Sequence, residues 1–227
     1  MIENLEPVFR KYEAFVKQLD CVFEGVRQQY PDCVKCELAC ADCCHALFDL
    51  SLVEALYINR HFMDDVRDRR RVEIIDDANR VDRKIYQLKR KAFKAVEAGE
   101  KTEEQVLLEM AAERVRCPLL NQAEQCELYA YRPVTCRLYG IPTSIGGRGH
   151  TCGQSGFTEG ESYPTVNLDS VHAKLHELSQ EIVGVLKSTH VKMGEVLMPL
   201  SMALLTVFDE KYLGLAADKP TPAKDRV

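Results

Sequence analysis

Ten cysteines stand in this chain of 227 residues, and their spacing is the chemistry on offer. Five lie between Cys33 and Cys44, as Cys33-x2-Cys36-x3-Cys40-x2-Cys43-Cys44. Close Cys-x2-Cys spacing lets one turn of chain present two thiolates to one ion. A second set follows about seventy residues later: Cys117-Pro118-Leu119-Leu120, Cys126, then Arg132-Pro133-Val134-Thr135-Cys136-Arg137, and Cys152. Adjacent side chains point in different directions in helix or strand. Cys43 and Cys44 therefore suit two metal centres, or two atoms of one polynuclear centre, better than one tetrahedral ion. Arg132 and Arg137 flank Cys136, where positive charge lowers a thiol's pKa and offsets an anionic site. The candidate metal ligands are Cys36, Cys40, Cys43, Cys44, Cys117, Cys126, Cys136 and Cys152. Cys33 stays open between ligand and spare thiol, and Cys21 reads as an inert buried thiol on a helix.

The whole chain gives these thiols their context. A chain of this length buries enough core to fold without disulfides. Its 46% apolar and 29% charged residues are ordinary for a globular protein. The first residues, Met1-Ile2-Glu3-Asn4-Leu5-Glu6, contain no apolar signal-peptide stretch, and no apolar run reaches a membrane span. The expected setting is the cytoplasm, where clustered cysteines bind metal more often than they pair. A net charge of −5 argues against nucleic acid as a partner. The one basic cluster, Arg67 to Arg71, is interleaved with Asp64, Asp65, Asp68 and Glu73, as on a solvated helix face.

The elements that must position the cysteines read as helices. Val8, Tyr12, Phe15, Leu19, Val22 and Val26 step by four and three, with Pro7 at the start and Pro31 past the end. Ser51 and Glu54 form a capping box for a helix starting directly after the first cluster. Ile74 to Ala95 predicts a long helix stopping near Gly99, and Thr102 with Gln105 opens another that ends near Cys117-Pro118. These two should form an antiparallel hairpin. From Cys117 to Tyr163 the period is lost among prolines and glycines. Leu168 to Val185 is amphipathic, and a last helix is expected from about Val196 to Leu215. Residues 216–227 read as a disordered tail. The expectation is a mainly α, single-domain helical bundle over 1–215. Its one long irregular cysteine-rich metal-binding segment has its core at about 33–152. Helical faces left over could serve a protein partner or a homodimer.

The two cysteine sets together resemble a known family, the cysteine-cluster proteins named for a C-x-x-C-x-x-C-C motif and described as zinc- or iron-chelating. The first part corresponds to Cys36, Cys40, Cys43 and Cys44, with three residues rather than two between Cys36 and Cys40. The second corresponds to Cys117-Pro118-Leu119-Leu120, Cys126-Glu127-Leu128-Tyr129 and Arg132-Pro133-Val134-Thr135-Cys136-Arg137. The resemblance spans about half the chain, and it implies a bound metal. Larger proteins with a similar cluster include a flagellin lysine methylase, which links the resemblance to iron–sulfur chemistry. Cysteine-only ligation suits an iron–sulfur cluster or zinc. The iron–sulfur cluster is the preferred reading, with a redox, sensing or catalytic role. A zinc-folded interaction module and a metal chaperone or store are the alternatives.

Other constellations point elsewhere less well. Cys36-x3-Cys40-x2-Cys43 has the spacing of radical S-adenosylmethionine enzymes, but their alternating strands and helices are missing. No βαβ pattern accompanies a thioredoxin-type role. His172 and His176 share a helix face without the intervening Glu of H-E-x-x-H and read as polar flanks of the apolar stripe. His45 and His150 are candidates for auxiliary ligation. Gly146-Gly147-Arg148-Gly149 reads as a turn, and no substrate is indicated.

Overall fold

The computed structural model describes residues 2–37 and 39–215. The tail expected over 216–227 lies outside them. The described chain is mainly helical. Helix α1 runs Glu6–Gln29 and buries Val8, Phe9, Tyr12, Val16, Leu19 and Val26. At about 100° per residue, Phe9 and Val16 turn the buried face away from Val22. Val22 is accordingly exposed. Cys21 falls on the opposite face and is exposed, not the buried thiol expected.

Helix α2 (Leu52–Asp65) is the centre of the core. Leu52, Val53, Ala55, Leu56, Ile58 and Phe62 are all buried. It begins at the Ser51–Glu54 pair, where the Glu54 carboxylate accepts from Ser51 N (3.1 Å) and Ser51 Oγ (2.8 Å). Just before it, strand β1 (Asp49–Ser51) pairs antiparallel with β5 (Leu197–Pro199), with Leu50 opposite Met198. Helix α3 (Asp68–Glu97) and helix α4 (Glu103–Ala112) pack together, joined through Gly99 at φ 70° and the Thr102–Gln105 box. Arg69 and Arg70 pair with Glu73, and Arg70 also with Glu127, so much of the basic cluster is neutralised within the chain.

Three expectations are corrected here. Helix α4 ends at Ala112 and does not include Val115. Residues beyond it run beside the first cysteine cluster, where Ala46 bridges Arg114 and the Val115 and Cys117 amides bond the carbonyls of His45 (2.9 Å) and Cys44 (2.7 Å). Those bonds replace the helical ones. The single helix expected over Val196–Leu215 is instead β5 and the short helix α7 (Leu200–Leu205). Pro199 opens α7, and Asn59 Nδ2 takes the carbonyls of Ala203 (2.9 Å) and Thr206 (3.2 Å) at its end. The cysteines, finally, do not share one irregular segment. They are dispersed over loops, a 3-10 turn, an extended stretch and helix α5 (Val134–Leu138). Strands β2 (Thr143–Ile145) and β3 (Arg148–His150) form a hairpin through Gly146 and Gly147, both with positive φ, as a two-residue turn of this kind requires. Strand β4 (Val166–Asn167) lies parallel to β2 and leads into helix α6 (Leu168–Leu186). Among the described residues no helix is long and apolar enough to cross a membrane.

Candidate metal centre

The first cluster sits in the link between α1 and β1. Cys43 and Cys44 occupy a 3-10 turn, Asp42–His45. Ala39, inside the three-residue spacer that departs from the family motif, adopts φ 67° and turns the chain toward Cys40. The second cluster is brought to it by four local devices. The pairing beside His45 and Cys44 carries Cys117. Leu120 bridges Cys126 across the tight loop between them. Helix α5 carries Cys136. Its first amide, Val134 N, donates to the second oxygen of Glu54 at 3.0 Å, so one buried carboxylate starts α2 and anchors α5. The stretch after β3 carries Cys152, and the Gly156 amide that follows bonds the Cys33 carbonyl at 2.8 Å.

The result is a cavity of about 540 Å³ whose walls include Cys36, Cys40, Cys43, Cys44, Cys117, Cys126, Cys136 and Cys152. All eight cysteines singled out from the spacing border one space. Gly140 shows how closely the sets approach: a Cβ there would overlap Cys36 Sγ. The rest of the wall is largely apolar, with Phe23, Phe48, Ile58, Ile85 and Leu119. Cys33 is not on this wall. No group of three or more His, Cys, Asp or Glu side chains among the described residues is arranged to hold a metal ion.

The electrostatics follow from crowding sulfur out of water. Donation from Cys136 and Cys44 holds Cys43 well below the ordinary thiol value, and the Arg132 charge acts in the same direction. Cys136 and Cys44 are correspondingly raised, first by their bond to Cys43 and then by burial. Burial lifts Cys36 to about 11, reinforced by Cys40, Cys152 and Cys43. Burial lifts Cys117 to about 12, reinforced by Cys126 and Cys43. Cys126 and Cys152 are also raised, chiefly by burial. The Cys152 thiol donates to Asp42 Oδ2 at 3.4 Å and accepts from Gln154 N at 3.4 Å. Two electrostatic neighbourhoods emerge: Cys40 and Cys152 act on Cys36, whereas Cys117 and Cys126 act on Cys44 and Cys136. Cys43 influences both.

A family model matches residues 33–153, more than half of the chain and all of this cavity's cysteines. The chain belongs to the CxxCxxCC family. Its description reads "Putative zinc- or iron-chelating domain". No curated protein and no solved structure matches the chain.

No histidine lines the cavity of this CxxCxxCC chain. The His45 ring lies against its own turn, with Nδ1 3.0 Å from Ala41 O. His150, His172 and His176 are exposed. Two residues that position the site were not singled out as such. Glu54 was legible only as a helix cap, because its contact to Val134 spans 80 positions. The two arginines flanking Cys136 also differ in role. Arg137 is a clamp: Nη1 pairs with Asp20 (2.8 and 3.0 Å), Nε donates to Arg132 O (2.8 Å) and Nη2 to Ala130 O. Arg132 lines the cavity, with its guanidinium 3.7 Å over the Tyr129 ring.

Proposed function

We propose that this chain holds an iron–sulfur centre in the cysteine-lined cavity. The ligands are drawn from Cys36, Cys40, Cys43, Cys44, Cys117, Cys126, Cys136 and Cys152. The observation that carries the reading is the convergence of all eight on one space of about 540 Å³. Zinc in a structural site is closed by four donors at about 2.3 Å and needs no volume beyond its own. A polynuclear cluster brings inorganic sulfide as well as iron, and a roomy, sulfur-lined, largely apolar cavity suits it better. The donor set fits the group: sulfur is abundant, and a cationic arginine stands on the wall. Thiol ligands would give up their protons on binding. Such a centre supplies one-electron chemistry when bound. The protein's own residues supply thiolates, exclude water with Phe23, Phe48 and Leu119, and fix the two cysteine sets through Glu54 and the His45–Val115 pairing. Ten unpaired thiols suit a reducing compartment such as the cytoplasm.

The test is anaerobic purification after iron-supplied expression, with iron, sulfide and zinc analysis beside the visible spectrum. Brown protein with iron and acid-labile sulfide in matching amounts is expected. Colourless protein carrying stoichiometric zinc overturns the iron–sulfur assignment and leaves the zinc reading in its place.

A further inference from the structure

Arg132 Nε is buried and has no hydrogen-bond partner, and no other buried side-chain nitrogen or oxygen among the described residues is left in that state. A buried donor without an acceptor is costly, more so on a cation, and native proteins rarely keep one without a reason. The neighbouring cavity arginines use their donors within the chain. Arg137 holds Asp20 and two carbonyls, and Arg116 gives its two terminal nitrogens to the carbonyls of Leu120 (2.8 Å) and Asn121 (3.0 Å). Arg132 is also held in place by its neighbours. Its ring contact with Tyr129 orients the guanidinium plane, its carbonyl accepts from Arg137, and Pro133 and the Glu54-anchored Val134 fix the chain that follows. Eight cysteines share the cavity wall with it. Its charge acts on Cys36, Cys43 and Cys126, which belong to both cysteine sets.

We infer that Arg132 is a positioning residue of the metal centre: its Nε–H donates a hydrogen bond to a metal-bound sulfur in the cavity, and its charge offsets the anionic ligand set. The inference rests on the metal-binding reading above, with zinc or iron alike. Donors to ligating atoms orient them and tune the metal, and their loss commonly lowers metal affinity about 10–100-fold.

The experiment uses the metal-loaded full chain and competes its metal against chelators of graded affinity. Arg132→Met removes donor and charge, and Arg132→Lys keeps charge without the planar Nε–H. Arg27→Ala removes an exposed cavity-rim cation that pairs with Glu24. Urea midpoints of the metal-free variants report folding separately, and Arg132→Gln stands in if the Met variant does not fold. The expected result is a 10–100-fold affinity loss in Arg132→Met. A smaller loss in Arg132→Lys and none in Arg27→Ala are expected beside it. Wild-type affinity in Arg132→Met overturns the inference, as does full rescue by Lys, which would leave charge alone. A wild-type chain that takes up no metal sinks the metal reading, and this inference with it, before any variant is compared.

Discussion

Cys43 and Cys44 show how much one peptide bond can separate. Cys43 stands within the influence of both cysteine neighbourhoods, whereas Cys44 belongs with Cys117, Cys126 and Cys136. Replacing Cys44 or Cys136 by Ala should therefore lower metal content by at least one centre. Elemental analysis of purified variants checks this, and unchanged stoichiometry in both refutes the assignments. Glu54 matters at the same scale. Burial raises its carboxyl above the ordinary carboxylate value, against the donation from Val134 and Ser51. The sign is that of a raised acid: its stabilisation is complete below the unfolded pKa and is lost as pH rises through the folded one. Glu54→Gln keeps the shape but turns an amide NH2 toward one of the donors it serves, at a cost of about 1–3 kcal/mol. The stability gap between wild type and Glu54→Gln should be widest near pH 4 and narrow toward neutrality. Urea midpoints at the two pH values decide it, and a gap that widens with pH contradicts the assignment.

At the scale of elements, periodicity located what it should and missed what tertiary pairing decides. Helices α1, α3 and α6 were legible because each buries apolar residues at helical spacing, and α2 because a capping box opens it. The stretch 113–117 was not, because its hydrogen bonds go to residues 44–46 and leave no local trace in its own sequence. The run after Val196 misled because Leu197, Met202 and Val207 are exposed, so its apolar residues mark no single buried face, and Pro199 sets the break between β5 and α7. The eight cavity cysteines were legible from type and spacing, but their convergence depends on close packing such as that of Gly140 on Cys36. A methyl group at that position has no room unless Cys36 or the chain after α5 moves. Gly140→Ala should cost about 1–3 kcal/mol by overpacking. It should also weaken metal binding in chelator competition. Wild-type values in both measurements would mean that Cys36 need not stand where it does.

At the scale of the whole molecule, two regions differ in what holds them. The helical core places Leu5, Val8, Phe9, Leu52, Ile58, Phe62, Leu178, Ile182 and Ala203 in one buried cluster. Most of those side chains lie outside the cavity wall. The cysteine-bearing region from Glu113 to Phe157 is built instead from a five-residue helix, three-residue strands and tight turns. Leu119, Leu128, Val134, Leu138 and Ile141 tie this region to the core cluster, but elements this short share little regular backbone pairing and lean on what joins them. A metal centre tying Cys117, Cys126, Cys136 and Cys152 to the first cluster would be that join, and its binding energy would be folding energy for this region alone. Removing metal with a chelator should therefore raise amide hydrogen exchange across 113–157 and 33–46. Helices α1, α2 and α6 should keep most of their protection, and the far-UV helical signal should fall only slightly. Hydrogen exchange resolved by peptide, with and without metal, checks each region separately. Loss of protection throughout α1 and α2 would show that the metal supports the whole fold. Unchanged protection in 113–157 would show that hydrogen bonds and packing hold the cysteines in place without it.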